Sequence, residues 1–426
     1  MDSVSLYNKH VLKNGLTVLT VPIDSAASVT MTVLVKAGSR YEKPKENGIS
    51  HFLEHLHFKG TKLYPTAKKL SEAVDSIGGE FNANTGKEHT QYYIRAAYEH
   101  LPLVFNVLTD MIQNPLIESR EIEREKGVII EEINMYRDNP QIQVESLFEE
   151  NMWPDQALGR DIAGTAEKVR AMTREDIFDY RKRFYQPGNM IVAVAGKFDD
   201  KLLNSLIEKN WGGSGIVKDF PFEPGHCRSK KPYTAVQEKA TEQAHMMVGF
   251  KGFSYKHKHN QAQRILATIL GGGMSSRLFI RVRERLGLAY YVSASANNYL
   301  DSGSFTVQAG LKVDKAPEAL TIILEELKRI AETPVKAPEL KKAKEYIKGK
   351  IALTLEDPHD KLEWYLGQEA FLGKIRTVRQ TFDEIDEVDS GLILATAQEI
   401  IRNDCLNLAV IGPYKSKEPF EKRLNF

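Results

Sequence analysis

The sequence has few cysteines, no excess of charge of either sign and no long apolar run. Cys227 and Cys405, its only two cysteines, lie far apart in the chain. This spacing excludes a disulfide framework and a cysteine-based zinc site. Any metal ion would therefore need histidine and carboxylate ligands.

Charge and hydropathy argue against two further classes of protein. The chain has 58 Lys and Arg residues against 57 Asp and Glu residues, a net charge of +1, which gives no electrostatic basis for binding nucleic acid or an anionic membrane. No segment approaches the ~18 apolar residues of a membrane span. The N-terminal segment "MDSVSLYNKHVLKNG" lacks the apolar core of a signal peptide. We therefore expect a soluble, cytoplasmic protein with neither nucleic acid nor membrane as a partner.

The two halves of the chain repeat one order of segments. "NMIVAVAG" at 189–196 is echoed by "CLNLAVIG" at 405–412, and "EIEREKGVIIEEI" from Glu121 is echoed by "ELKKAKEYIKGKI" from Glu339. An offset that stays near 218 indicates duplication of one α/β unit.

The length and this repeat predict two domains. A chain of 426 residues fits two domains of roughly 200 residues each. We predict an N-terminal domain over 1–215, a linker rich in Gly, Pro and charge over 216–235, and a C-terminal domain over 236–426.

The expected fold class is α+β. "GLTVLTVPI", "VTMTVLVKAGS", "EFNANT" and "HTQYYIRAA" predict strands, and the last two are expected in one sheet. Residues 99–113 and 118–137 show helical periodicity. We expect two duplicated α/β domains, each a mostly antiparallel sheet with helices packed on one side.

The segment "SHFLEHLHFKG" predicts a helix with Ser50 as its N-cap. On a helix His51 and His55 lie one turn and about 40° apart, so their imidazoles can converge on one metal ion. Glu54 flanks the same point and can take a proton from water, in the order of the inverted zincin motif. His57 points about 200° from His55 and is interpreted as a packing or surface residue.

A catalytic zinc ion needs a third protein ligand. The segment "SREIEREKGVIIEEINMY" offers Glu125 and Glu132, which lie only about 20° apart on a helix. Glu121 shares roughly that face, and Glu131 is about 100° from Glu132. Local geometry leaves Glu125 and Glu132 as alternatives, and a solvated acidic face is the competing interpretation.

With these motifs the sequence resembles the pitrilysin and mitochondrial processing peptidase family of inverted-motif zinc peptidases, over nearly the whole chain. "HFLEHLHFKGT" matches the family motif closely. In the family about 76 residues separate the motif from the ligand glutamate, and 76 residues lie between His55 and Glu132 here. Its preceding Arg-Glu pair matches Arg124 and Glu125.

The resemblance implies a role for each residue of this cluster. His51, His55 and Glu132 would bind one Zn²⁺ per chain, and Glu54 would be the general base. Glu125 would be an acid in the catalytic set that helps to orient the site.

Two further segments resemble substrate-binding elements of the family. "GGEFNANTGKEHTQYY" resembles a strand at the cleft edge that pairs with substrate backbone, which implies Asn82 and Ala83 as substrate-binding residues. "SSRLFIRVRERLGLAYYVSA" resembles an Arg-x6-Tyr element, which implies that Arg283 and Tyr290 bind substrate carbonyls and steady the oxyanion. Arg281 is an alternative to Arg283.

The domain over 1–215 is thus expected to be the zinc-binding catalytic domain, and the domain over 236–426 a substrate-binding domain that lacks the metal-binding residues. At the offset of about 218, Glu132 corresponds to Lys350, and "ILGGG" stands where "HFLEH" would be. One chain carries both the zinc motif and the Arg/Tyr element, which favours a homodimer, with a heterodimer as the alternative.

The sequence therefore predicts a zinc metalloendopeptidase that hydrolyses unfolded peptides in a closed chamber and has the metallohydrolase fold of processing peptidases. A non-catalytic binding or scaffold subunit of the same fold is the first alternative. A zinc hydrolase for a non-peptide substrate is the second.

Overall fold

The computed structural model describes residues 7–213, 215, 220–228 and 230–425. The chain forms two compact units, each built from three stretches. The N-terminal unit comprises Met1–Ile133, Arg160–Glu223 and Leu353–Ile375, and the C-terminal unit comprises Asn134–Gly159, Pro224–Ala352 and Arg376–Phe426.

The compact units differ from the predicted division of the chain at 215 and 236. Each unit takes one helical stretch, 134–159 or 353–375, from the other half of the sequence. Residues 216–219 and 229 of the predicted linker lie outside the described residues. The predicted domain boundaries therefore stay a prediction.

The sheet of the N-terminal unit contains six strands within the described residues. They are β1 Asn8–Val11, β2 Thr17–Pro22, β3 Ser28–Val35, β4 Glu80–Thr85, β5 Thr90–Ala97 and β6 Met190–Gly196. Their order is β1-β2-β6-β3-β5-β4, and every neighbouring pair is antiparallel except the parallel pair β2 and β6.

The sheet of the C-terminal unit repeats this plan. Its strands are β7 Tyr233–Glu238, β8 Gln243–Lys251, β9 Ala289–Asn298, β10 Gly303–Lys312 and β11 Asn407–Gly412. The order β7-β11-β8-β10-β9 reproduces β2-β6-β3-β5-β4, again with one parallel pair, β7 and β11. The prediction of two duplicated α/β domains with mostly antiparallel sheets is confirmed.

Helices connect and cover the strands. They are α1 Ile49–His57, α2 Ala67–Asp75, α3 Leu101–Gln113, α4 Ser119–Asp138, α5 Pro140–Met152, α6 Ala166–Ala171, α7 Arg174–Phe184, α8 Asp200–Trp211, α9 Asn260–Gly271, α10 Ala316–Glu332, α11 Ala337–Thr354, α12 Pro358–Leu372, α13 Val378–Glu387, α14 Ser390–Ile400 and α15 Glu418–Glu421. Within the part of the chain that the structure describes, no helix is both long and apolar enough to cross a membrane.

Each sheet also carries a helix on its second face, which the expectation of one-sided packing did not include. In the N-terminal unit α12 places Leu362 and Leu366 against Leu19 and Ile191. In the C-terminal unit α5 packs against β11. All seven residues of β6 are buried. A strand that is apolar on both faces needs a covering layer on each, and α12 supplies the second.

Candidate metal centre

Helix α1 presents the metal-capable side chains because its apolar side chains anchor the opposite face. Four of its apolar residues are fully buried: Ile49, Phe52, Leu53 and Leu56. His51, Glu54 and His55 are only partly buried. The 3.6-residue period of the helix thus separates a packing face from a chemical face.

The helix begins two residues earlier than a cap at Ser50 predicts. Gly48 is the N-cap, in a left-handed conformation with φ of 100°, and Ile49 is the first helical residue. The prediction of Ser50 as the N-cap was wrong. Ser50 lies in the first turn, where its hydroxyl forms a 2.7 Å hydrogen bond with the hydroxyl of Tyr180.

Helix α4 brings Glu132 to both histidines of the motif. Its Oε2 lies 3.6 Å from Nε2 of His51 and 3.3 Å from Nε2 of His55. The three ligand atoms all lie within 4.8 Å of one another. Among the described residues this is the one group of three or more His, Cys, Asp or Glu side chains whose ligand atoms lie this close together.

Glu125 contacts the opposite side of the His55 ring. Its Oε2 lies 3.2 Å from Nδ1 of His55, and its Oε1 lies 2.9 Å from Nζ of Lys59. Burial raises the pKa of Glu125, but the hydrogen bonds from His55 and Lys59 outweigh burial and hold it below its usual value. Glu125 thus stays ionised and orients His55, while Glu132 faces the two Nε2 atoms.

Lys59 was not identified from the sequence. It lies two residues beyond the end of α1, so helical spacing does not place it beside Glu125. No local signal in the sequence identifies it.

Glu54 is held beside this group by Thr85 at the end of β4. The hydroxyl of Thr85 donates a short hydrogen bond to Oε2 of Glu54. Burial raises the pKa of Glu54, and the bond from Thr85 partly opposes that rise. A carboxylate with a raised pKa is suited to accepting and returning a proton near neutral pH. Thr85 lies within the segment "GGEFNANTGKEHTQYY", but the sequence alone predicts no role for it.

The two motif histidines differ in charge. Burial, reinforced by the neighbouring His55, lowers the pKa of His51 to about 4. Burial also lowers the pKa of His55, but its bonds to Glu125 and Glu132 raise it to about 9. At neutral pH His51 is therefore neutral and His55 is protonated. A metal ion that binds to His55 would have to displace that proton.

The donor set fits a zinc ion. Two imidazole nitrogens and one carboxylate oxygen are the ligands of many catalytic zinc sites, in which a fourth position stays open. His55 has the carboxylate partner that orients a metal-binding imidazole. The predicted ligands His51, His55 and Glu132 are thus brought together, with Glu54 and Glu125 beside them.

Asn82 and Ala83 lie on β4, the last strand of the sheet order. Asn82 is exposed and Ala83 is half-buried. Among the described strands, β4 pairs only with β5, opposite Tyr93 and Tyr92. The strand ends at Thr85, so its outer edge leads towards Glu54.

Arg283 and Tyr290 belong to the C-terminal unit, whereas the histidine group belongs to the N-terminal unit. The Arg283 guanidinium lies 4.7 Å from the ring centre of Phe279 and has no acidic partner within the described residues. Arg281 instead forms an ion pair with Glu326 at 3.1 Å, which leaves Arg283 as the better candidate. The side chain of Tyr290 is half-exposed. The roles of Arg283 and Tyr290 stay predictions.

Known protein families match both halves of the chain. A family model described as insulinase, peptidase family M16, matches residues 17–166. A second one, described as peptidase M16 inactive domain, matches residues 171–347.

Full-length relatives and solved structures agree with these matches. A Streptomyces coelicolor protein is 34% identical over 97% of this chain and 91% of its own length. Bacillus subtilis YmxG is 34% identical over 96% of this chain and 98% of its own length, and both relatives are named uncharacterized zinc proteases.

The fold is shared with a protease from Helicobacter pylori, which has a TM-score of 0.90 at 23% identity, with 96% of this chain and 99% of that chain covered. It is also shared with a peptidase M16 inactive domain protein from Pseudomonas fluorescens, with a TM-score of 0.87 at 16% identity, 96% of this chain and 99% of that chain covered. The resemblance drawn from the motifs is therefore confirmed, and the chain belongs to peptidase family M16.

Proposed function

We propose that this chain is a zinc-dependent endopeptidase that hydrolyses unfolded peptides. The observation that carries the proposal is the convergence of His51, His55 and Glu132, with the carboxylate of Glu54 beside them. The naming of full-length relatives as zinc proteases supports it.

One Zn²⁺ per chain would be held by Nε2 of His51, Nε2 of His55 and the carboxylate of Glu132. Bound there, Zn²⁺ supplies a Lewis acid that polarises a peptide carbonyl and acidifies water. Glu125 accepts a hydrogen bond from Nδ1 of His55, so this ring would keep its Nδ1 proton and give up its Nε2 proton when the metal ion binds.

Glu54 is the general base of the proposed reaction. Its carboxylate takes the proton of the attacking water and passes it to the nitrogen of the leaving amine. Thr85 fixes the orientation of this carboxylate through Oε2. Burial raises the pKa of Glu54 towards the range in which both proton transfers are efficient.

Peptide substrates would bind along the outer edge of β4. An extended backbone can add to an open sheet edge through main-chain hydrogen bonds, which favours unfolded peptides over folded proteins. Asn82 and Ala83 would line this edge. Arg283 and Tyr290 would donate hydrogen bonds to substrate carbonyls and to the oxyanion.

We further propose that the protein acts as a homodimer, because one chain carries both the metal motif and the Arg/Tyr element. The mass of the native complex tests this proposal. A complex that contains a second, different chain would contradict it.

The variant Glu54→Gln tests the proposed activity. We expect its kcat for an unstructured peptide to fall by at least about 10²-fold, with zinc content unchanged, because a positioned base contributes that much or more. Glu72→Gln, an exposed acid on α2, is the matched control and should retain full activity.

Cleavage that survives in Glu54→Gln would refute the role of Glu54. Zinc-loaded protein that cleaves no peptide, but binds a stoichiometric partner, would instead favour a non-catalytic scaffold subunit. Hydrolysis of esters alone would favour a zinc hydrolase for another class of substrate.

A further inference from the structure

The two motif histidines are oriented by different means. Nδ1 of His55 is held by Glu125, which in turn is held by Lys59. Nδ1 of His51 is buried and meets no hydrogen-bonding group within the described residues. Metal-binding imidazoles are normally oriented through their second nitrogen. Apart from the contacts of its ring with Glu132 and His55, the position of His51 therefore depends on the backbone that carries it.

That backbone is the first turn of α1, where helical N–H groups have no partner within the helix. The N-cap is Gly48, which has no side chain that could accept from them. The carboxylate of Glu42 takes this place. Its Oε2 accepts the N–H of Gly48 and its Oε1 accepts the N–H of Ser50, each at 2.9 Å. Ser50 immediately precedes His51.

The local packing explains why a distant carboxylate is used. A Cβ atom at Gly48 would lie 2.6 Å from the carbonyl oxygen of Ala163, and φ at this position is +100°. A serine, aspartate or asparagine N-cap is therefore excluded at this site. A side chain from another segment can satisfy the helix end instead.

Glu42 is itself held rigidly. Its side chain is buried, and Asn47 donates a second hydrogen bond to Oε2 at 3.2 Å. The guanidinium of Arg160 donates to the main-chain oxygen of Glu42 at 2.7 Å. Burial raises the pKa of Glu42, and the hydrogen bonds from Ser50, Gly48 and Asn47 oppose that rise.

We propose that Glu42 is a positioning residue for the metal ligand His51. Both of its carboxylate oxygens bind N–H groups at the start of α1. These bonds fix the position along the helix axis at which His51 faces Glu132. This inference rests on the proposed zinc site, and it assigns His51 a backbone support that corresponds to the side-chain support of His55.

The variant Glu42→Gln tests the proposal. It keeps the shape of the side chain but replaces one acceptor oxygen by an NH2 donor, which then faces a main-chain N–H group. Glu46→Gln is the matched control, since Glu46 is also buried in this stretch but pairs with Arg183 at 2.7 Å and does not bind the N–H groups of α1.

Two measurements are made on the full chain. The first is the dissociation constant for zinc, by competition with a chromophoric chelator. We expect Glu42→Gln to bind zinc about 10- to 100-fold more weakly, the usual effect of removing a group that orients a ligand, and Glu46→Gln to match the unaltered protein. The second is amide hydrogen exchange of residues 48–55 without metal, which should be faster only in Glu42→Gln.

Unchanged zinc affinity and unchanged exchange in Glu42→Gln would overturn the proposal. If that variant does not fold, as judged by circular dichroism, Glu42→Asp replaces it. Its shorter side chain reaches one of the two N–H groups, so we expect an intermediate loss of zinc affinity. A zinc affinity equal to that of the unaltered protein would overturn the proposal.

Neither measurement depends on peptide cleavage. A protein that binds zinc but cleaves no peptide would defeat the proposed function and leave the comparison of Glu42 with Glu46 intact. An active peptidase whose zinc affinity is the same with and without Glu42→Gln would contradict this inference and leave the proposed function intact.

Discussion

Replacing Glu132 by glutamine is expected to remove most of the zinc affinity, and replacing Glu125 is expected to remove less. Glu132 faces the Nε2 atoms of both His51 and His55, at 3.6 and 3.3 Å. Glu125 faces Nδ1 of His55 at 3.2 Å and Lys59 at 2.9 Å. The first carboxylate can bind an ion between the imidazoles, whereas the second can only orient one of them.

The size of each effect follows from these positions. Four-ligand zinc sites in small proteins bind zinc with about 10–16 kcal/mol, or about 2.5–4 kcal/mol for each ligand. Since about 1.4 kcal/mol corresponds to a tenfold change, Glu132→Gln should weaken zinc binding by about 10²- to 10³-fold. Loss of an orienting partner costs about 10- to 100-fold, which is the effect expected for Glu125→Gln.

The assay is competition for zinc between each variant and a chelator of known affinity. Glu131→Gln is the control, because Glu131 is an exposed neighbour of Glu132 on α4. It should bind zinc as the unaltered protein does. Zinc affinity that is unchanged in Glu132→Gln, or lost more completely in Glu125→Gln, would refute the assignment of Glu132 and make Glu125 the ligand.

Three further predictions concern the groups around this centre. Thr85→Val removes the hydrogen bond that lowers the pKa of Glu54, so this pKa should rise. The acidic limb of the pH profile of kcat/KM should then move to higher pH, and an unmoved limb would contradict this role of Thr85. Lys59→Met frees Glu125 on one side and should weaken zinc binding by up to about 10-fold, whereas the exposed Lys62→Met should not; equal affinities would exclude this role for Lys59. Removing zinc with a chelator should abolish peptide cleavage and lower the Tm, and added Zn²⁺ should restore both. Zinc at a free concentration of 100 times Kd stabilises the folded state by about 2.7 kcal/mol, so a Tm that is the same with and without metal would contradict the zinc site.

Local patterns were sufficient for the elements that carry the site. The apolar positions of α1 recur at helical spacing, so the helix and the shared face of His51 and His55 follow from the sequence. The segments "EFNANT" and "HTQYYIRAA" form the neighbouring antiparallel strands β4 and β5, as expected for strands joined by a short connection.

Non-local pairing was not readable in the same way. The strands β2 and β3 follow each other in the chain, yet β6 lies between them in the sheet. A local pattern shows that a strand is apolar on both faces, but not which strand lies beside it. The same limit applies to α12 and α5, because their positions on the second faces depend on contacts between distant segments.

The supporting residues of the site also depended on distant contacts. Glu42 takes the place of the predicted cap Ser50, because a close approach of Ala163 leaves room only for glycine at the N-cap. Thr85 reaches Glu54 only when the end of β4 lies beside α1.

The sequence by itself determined that two histidines and a glutamate share one face of a helix, because their spacing matches the helical period. It left Glu125 and Glu132 equivalent, since residues seven positions apart on a helix differ by only about 20° in direction. Family resemblance implied Glu132, but only the packing of α4 against α1 provides a physical reason. It places Glu132 opposite the two Nε2 atoms and Glu125 opposite Nδ1 of His55, so the distance along the helix axis, which a projection omits, separates the two roles.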